Sequence, residues 1–193
     1  MVLTYKNRKG DTYYLHEGRT KTGTPKYFFS TRKDGKLLER IPKGYEIYEN
    51  PNGLVFLRKE WTKVFSDEEI AIVENAMKDY TNLEFYRIDV KGNAIIIYLP
   101  LQDVNAIKEV ISQFRLNTPA EINHTLQRII TFAPEMQLIL TDKEKHLFSV
   151  KRYCYRGLGS WITLETSSDL KVLVKKYLKH LAKESFFDLF AEF

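Results

Sequence analysis

Thr12-Tyr-Tyr-Leu-His-Glu17, Lys26-Tyr-Phe-Phe-Ser-Thr31 and Tyr45-Glu-Ile-Tyr-Glu-Asn-Pro-Asn-Gly-Leu-Val-Phe-Leu-Arg58 carry the clearest structural signal in the chain. Aromatic and aliphatic residues crowd each run, as half-buried strands require. A period of two places Tyr13 and Leu15 on one face and Tyr14 and His16 on the other; in the second run Tyr27 and Phe29 oppose Phe28. Gly18-Arg-Thr-Lys-Thr-Gly-Thr-Pro25 has hairpin punctuation, with Arg19 and Lys21 at its tip, and Asn50-Pro-Asn-Gly53 supplies the positive φ that a second hairpin needs.

Working outward, Asp34–Ile41 reads as a short helix stopped by Pro42. Helix-start signals coincide at Phe65-Ser-Asp-Glu-Glu-Ile70, where Ser66 and Glu69 make a capping box and Phe65 with Ile70 a hydrophobic staple, so a helix is predicted over 67–80. Lys91-Gly-Asn93 separates strands 83–90 and 94–99. Asp103 caps a helix over 104–115 with Val104, Ile107, Ile111 and Phe114 on one side, and Thr118-Pro-Ala-Glu121 opens another over 119–131. Strands follow near 136–141, 146–155 and 160–165. Ser167 or Ser168 is expected to cap a last long helix to Leu181, and Ser185 a short closing one.

Strands arriving in adjacent pairs argue against a parallel βαβ architecture. The expected class is α+β: an N-terminal antiparallel β module over 1–62, then a body of β-hairpins covered by helices over 63–193. Within that body helix, hairpin and helix precede a further helix, a β-meander and the C-terminal helices.

Composition excludes some classes. With 44% hydrophobic and 28% charged residues the chain is not of the disordered type. Its single cysteine, Cys154, rules out an intramolecular disulfide and points to a reducing, cytoplasmic setting. The longest apolar run, Ala94–Leu101, falls well short of the ~20 residues of a membrane helix, and Met1-Val-Leu-Thr-Tyr-Lys6 does not open a signal peptide. Charge is uneven: residues 1–45 hold 11 Lys/Arg against 4 Asp/Glu, and residues 46–193 hold 19 against 21. The basic surplus therefore sits in the N-terminal module and suggests a negatively charged partner.

The runs Thr12–Gly18, Tyr27–Ser30, Ile41-Pro-Lys-Gly-Tyr-Glu-Ile-Tyr-Glu-Asn-Pro-Asn-Gly53, Arg152-Tyr-Cys-Tyr-Arg-Gly157 and Ser185-Phe-Phe-Asp-Leu-Phe190 resemble those of a group of uncharacterised bacterial proteins of similar length. That resemblance implies a bacterial source and a unit that recurs intact. It carries no activity and no site residues.

The leading expectation is a non-catalytic binding protein whose basic module contacts nucleic acid or an acidic partner through Tyr14, Arg19, Lys21, Lys26, Phe28, Arg32 and Lys33. Cations neutralise phosphates and exposed rings stack on unpaired bases; the same rings equally fit the core of a small sheet, with lysines guarding its edges. A second reading makes Phe186–Phe193 the docking element of a protein-interaction subunit. A third, a metal-dependent nuclease, rests on Asp89-Val-Lys91, a carboxylate and lysine at the end of a strand. His16, His124, His146 and His180 share no metal-ligand spacing with one another or with Cys154, and Arg156-Gly-Leu-Gly159 precedes a strand, so its glycines lack the helix N-terminus that holds phosphate. No cofactor and no metal are expected, an enzyme is the less favoured class, and oligomeric state is left open.

Overall fold

The computed structural model describes residues 2–113, 118–155 and 160–190. The fold is α+β, with four helices and eleven strands in antiparallel sheets among the described residues. The chain divides into two compact units, residues 1–61 with 102–131, and residues 62–101 with 132–193. The helical segment 102–131, read from sequence as part of a continuous body over 63–193, therefore groups with the N-terminal module.

In the first unit β1 (Thr4–Lys6), β2 (Thr12–Arg19) and β3 (Pro25–Ser30) form an antiparallel sheet, and β4 (Lys36–Leu37) pairs with the far half of the β2 edge that β1 uses. The helix expected over Asp34–Ile41 is not formed. Gly35 turns the chain with φ +88, and Leu38 exchanges backbone hydrogen bonds with Leu15 and Leu3, so the sheet edge takes the donors that a helix would have used. The predicted second hairpin is present as β5 (Tyr45–Glu49) and β6 (Val55–Lys59). Leu15, Phe29 and Val55 are buried together, with Leu3, Tyr5, Tyr13, Leu38, Ile47 and Leu57 packed around them. Arg58 ion-pairs with Glu46 at 2.7 Å and lies between the rings of Tyr48 and Trp61, at 4.2 and 4.1 Å.

Helix α1 (Asp67–Tyr80) begins where its capping signals place it: Ser66 Oγ accepts from the Glu69 amide and Glu69 Oε2 accepts from the Ser66 amide. The second unit is a five-stranded meander in the order β11-β10-β9-β8-β7, built from β7 (Arg87–Lys91), β8 (Ala94–Pro100), β9 (Phe132–Asp142), β10 (Leu147–Cys154) and β11 (Ser160–Ser167). Strand β9 starts earlier than its sequence suggests and contains Pro134. The β8–β9 register shifts there, pairing Ile97 with Met136 and Tyr98 with Pro134, and a bulge is where a sheet tolerates proline. Between β8 and β9 lie α2 (Val104–Ser112) and α3 (Pro119–Ile129), shorter than expected; Phe114, assigned to the first of them, lies outside the described residues.

Helix α4 (Leu170–Tyr177) is capped by Asp169, whose carboxylate accepts from the Val172 amide, and not by Ser167 or Ser168. It passes into a 3₁₀ turn at Leu178–His180. Ser185 caps nothing either: the closing 3₁₀ turn Glu184–Phe186 has no side-chain cap, and the Ser185 hydroxyl meets His180 Nδ1 at 2.9 Å. Burial, with the charges of Lys179 and Lys183, holds the His180 pKa below its ordinary value. Val73 and Met77 from α1 and Leu173, Val174 and Tyr177 from α4 cover Ile95, Ile97, Met136, Leu138, Phe148 and Val150 of the sheet.

One polar lock ties α4 to β11. Lys176 Nζ and the Tyr177 hydroxyl both donate to Glu165 Oε2, each at 2.7 Å. These bonds hold the Glu165 carboxyl below its usual range, while burial first, and then Glu165, push the Tyr177 phenol up to about 12. A lowered carboxylate pKa contributes stability above the unfolded value and loses it as pH falls through the folded one. Glu165→Gln is therefore expected to destabilise the protein at neutral pH and to match the wild type in strong acid. The neutral-pH cost is about 1 kcal/mol, reduced by solvent screening at this partly exposed pair. Urea unfolding of both proteins across that range measures it.

Candidate functional site

Pairing fixes which side chains share a face of the N-terminal sheet. Thr4 faces Tyr14, which faces Ser30; Lys6 faces Thr12; His16 faces Phe28; Gly18 faces Lys26. These nine positions form the face turned away from Leu15 and Phe29. They include two lysines and two aromatic residues besides His16, and no carboxylate.

Each ring on this face is held from beneath or beside. His16 is buried at 4% exposure, and its Nε2–H donates to the Arg32 carbonyl at 3.0 Å, which sets the tautomer. Phe28 stacks on it at 5.1 Å with the planes 8° apart, leaving 38% of the phenylalanine exposed. Gly18 makes room for that ring, since a Cβ there would stand 3.3 Å from it. Across the sheet Lys33 Nζ lies 5.3 Å from the centre of the half-buried Tyr14 ring.

Of the seven residues singled out from sequence, the structure gathers Tyr14, Lys26, Phe28 and Lys33 on or against this face. Arg32 is exposed beside it, anchored through its carbonyl. Lys21 lies exposed in the β2–β3 turn, and Arg19, paired with Pro25, has the parity of the opposite face, so it does not join the group. Sequence reasoning passed over Lys6, whose membership follows only from the β1–β2 register, and over Gly18, whose role is to be small. Tyr13 and Tyr27 face the other way. Burial, with Asp11 and Glu49 nearby, raises the Tyr13 pKa, and Tyr27 meets Tyr45 edge-on at 5.7 Å.

The electrostatics separate two groups of cations. Arg8 pairs with Glu49 at 2.8 Å, Lys36 with Glu17 at 2.9 Å, Arg58 with Glu46 at 2.7 Å and Arg128 with Asp11 at 3.4 Å. Lys6, Arg19, Lys21, Lys26, Arg32 and Lys33 are all exposed, and none has an ion-pair partner among the described residues. Glu49, Glu17, Glu46 and Asp11 are thus each used on a cation of the first set, and the set on and around the outer β face has no such bridge among the described residues.

Elsewhere the sequence-derived candidates assemble less. Asp89 and Lys91 share one face of the edge strand β7, with Ile88 and Val90 packed on the core. Asp89 adds to the burial that raises the Tyr98 pKa. Among the described residues no group of three or more His, Cys, Asp or Glu is placed to hold a metal ion, and no helix is long and apolar enough to cross a membrane. His146, at φ +52, reaches Glu69 Oε1 at 2.8 Å and so ties the β9–β10 turn to the start of α1. Arg156–Gly159, read as a tight turn, lies outside the described residues. No family model matches the chain, and the searches of curated proteins and of solved structures likewise find no match.

Proposed function

We propose that this chain is a binding protein whose outer β face, formed by β1, β2 and β3, takes single-stranded nucleic acid. The observation that carries the reading is the pairing of Phe28, exposed on a buried histidine, with flanking lysines that have no carboxylate partner among the described residues. An exposed ring offers a stacking platform to any base, and unneutralised cations release counterions from the phosphates they meet. A duplex keeps its bases stacked inward and gives Phe28 nothing to stack on. The single cysteine supports placing this activity in the cytoplasm.

Fluorescence anisotropy with labelled DNA and RNA oligonucleotides, single-stranded and duplex, tests the proposal. With Lys6, Lys26, Arg32 and Lys33 engaged, the logarithm of the single-strand affinity is expected to fall with the logarithm of salt at a slope of about −3. Absence of binding at low ionic strength, or binding indifferent to salt, removes it.

A second reading, docking of a partner protein through the C-terminal aromatic segment, draws on Phe187 and Phe190, exposed at 62% and 66%. Phe186 is not available to it, since that ring is in the core of the second unit. The nuclease reading at Asp89 and Lys91 gains no support from the described carboxylates.

A further inference from the structure

At the end of β10 the second unit has a cleft of about 590 Å³ lined by Arg152, Tyr153, Cys154, Tyr155, Ile162 and the C-terminal residues Phe187, Asp188 and Phe190. The volume falls within the ~300–1,000 Å³ of small-molecule sites. Its described lining is mostly aromatic and aliphatic, with one cation among the described residues.

That cation is the unusual feature. Arg152 faces Met136 and Ile162 on the core side of the sheet and is only 6% exposed. Its Nε donates to the Leu189 carbonyl at 2.6 Å, and its guanidinium lies 5.3 Å from the Phe190 ring centre and 6.0 Å from that of Phe186. Among the described residues it has no other hydrogen bond and no ion pair. A guanidinium has five N–H donors, and leaving a buried charge without an anion is costly. The rings and the carbonyl hold the fork in place, and its terminal nitrogens make no hydrogen bond among the described residues.

The neighbouring acid is already occupied. Tyr155 donates to Glu135 Oε2 at 2.7 Å, with the Pro134 carbonyl 2.9 Å from the same hydroxyl. Burial raises the Glu135 pKa, against the opposing effects of Tyr155 and of the Arg152 charge. Asp188 in the lining adds a second negative charge, which opposes a multiply charged anion such as phosphate. A carboxylate brings one charge on two coplanar oxygens, the geometry a guanidinium fork receives.

We infer that this cleft binds a monocarboxylate with an apolar, ring-sized body, its carboxylate on Arg152 and its body against Ile162 and Phe190. The carboxylate comes either from a free small acid or from the C-terminus of a peptide. Cys154, the only cysteine and part of the lining, reports occupancy.

Calorimetric titration of the intact protein with 4-phenylbutyrate, 4-phenylbutanamide and inorganic phosphate tests the inference, with the rate of Cys154 alkylation by iodoacetamide as the locator. The acid is expected to bind at least about tenfold more tightly than the amide, the size of a lost charge-assisted hydrogen bond, and to slow alkylation. Phosphate is expected to do neither. Arg152→Gln is expected to abolish the preference for acid over amide. Phe190→Ala, at an exposed position, should weaken the acid severalfold with an unchanged melting curve, so a misfolded Arg152 variant does not leave the question open. Peptides ending in phenylalanine, as free acid and as amide, separate the sources: preference for the acid peptide over phenylbutyrate assigns a chain terminus, and the reverse a small molecule. Equal affinity for acid and amide, binding that leaves Cys154 unprotected, or no binding by about 10 mM overturns the proposal.

Discussion

A protein carrying Lys26→Glu and Lys33→Glu is expected to bind single-stranded oligonucleotides about a hundredfold more weakly at low salt, with a salt slope shallower by about 1.4. The two lysines contribute to the same face from different elements, Lys26 from β3 opposite Gly18 and Lys33 from the loop over Tyr14. Neither has an ion-pair partner among the described residues, so reversing them breaks no internal bridge and the loss reads on the ligand. Phe28→Ala provides the complementary measurement. Losing one stacked base costs about 1–3 kcal/mol, roughly tenfold in affinity, and removes no phosphate contact, so the slope is expected to stay put. The matched control is Lys171→Glu with Lys175→Glu on α4, exposed lysines of the other unit, expected to leave affinity within about twofold. If these control changes weaken binding as much as the face variants do, the charge effect is general and the assigned face is wrong.

Truncating Phe148 to alanine is expected to lower the stability of the second unit by about 3–5 kcal/mol. The ring is 1% exposed, stacks near Phe65 at 6.3 Å and meets His146 edge-on at 4.9 Å. On β10 it sits between Leu140 and Ser167 on the neighbouring strands, so the surrounding backbone is held on both sides and the cavity cannot collapse. A loss of this size is a large part of the ~5–15 kcal/mol that stabilises a domain. The two tryptophans allow the units to be followed separately, because Trp61 belongs to the first and Trp161 to the second. Urea unfolding read by Trp161 in a Trp61→Phe background is expected to shift to a lower midpoint by about 1–3 M. An unchanged midpoint would mean that the sheet and its helices are not held by this core.

The elements legible in the chain were those decided by a few adjacent residues. Ser66 and Glu69 need only each other to start α1, and Gly53 needs only its own freedom at φ +81 to close the β5–β6 hairpin. The errors fall where another group competes for the backbone, a distant strand in one case and an adjacent side chain in another. Gly35–Leu38 has apolar spacing suited to a helix, yet Leu15 and Leu3 supply its hydrogen-bond partners. Asp169 takes the α4 cap from the serines before it, while Ser167 Oγ accepts from the Asp169 amide and fixes the turn.

For the candidate face, strand alternation in the sequence already separated Tyr14 and His16 from Tyr13 and Leu15, and Phe28 from Tyr27 and Phe29, and the charge count located the basic surplus in the same segment. Those are properties of neighbouring residues and of composition, and no folding is needed to read them. The β2–β3 register then put Phe28 with Tyr14 and His16. Tertiary structure alone decided which side became core, which cations kept a carboxylate, and that Arg19 stands apart from Lys26. It alone also buried Arg152 beneath a C-terminal segment nearly forty residues away, with one hydrogen bond to Leu189 among the described residues. The physical reason is range. Alternation and capping act over two to four residues, whereas burial and charge pairing depend on groups that only the closed chain brings within a few ångströms.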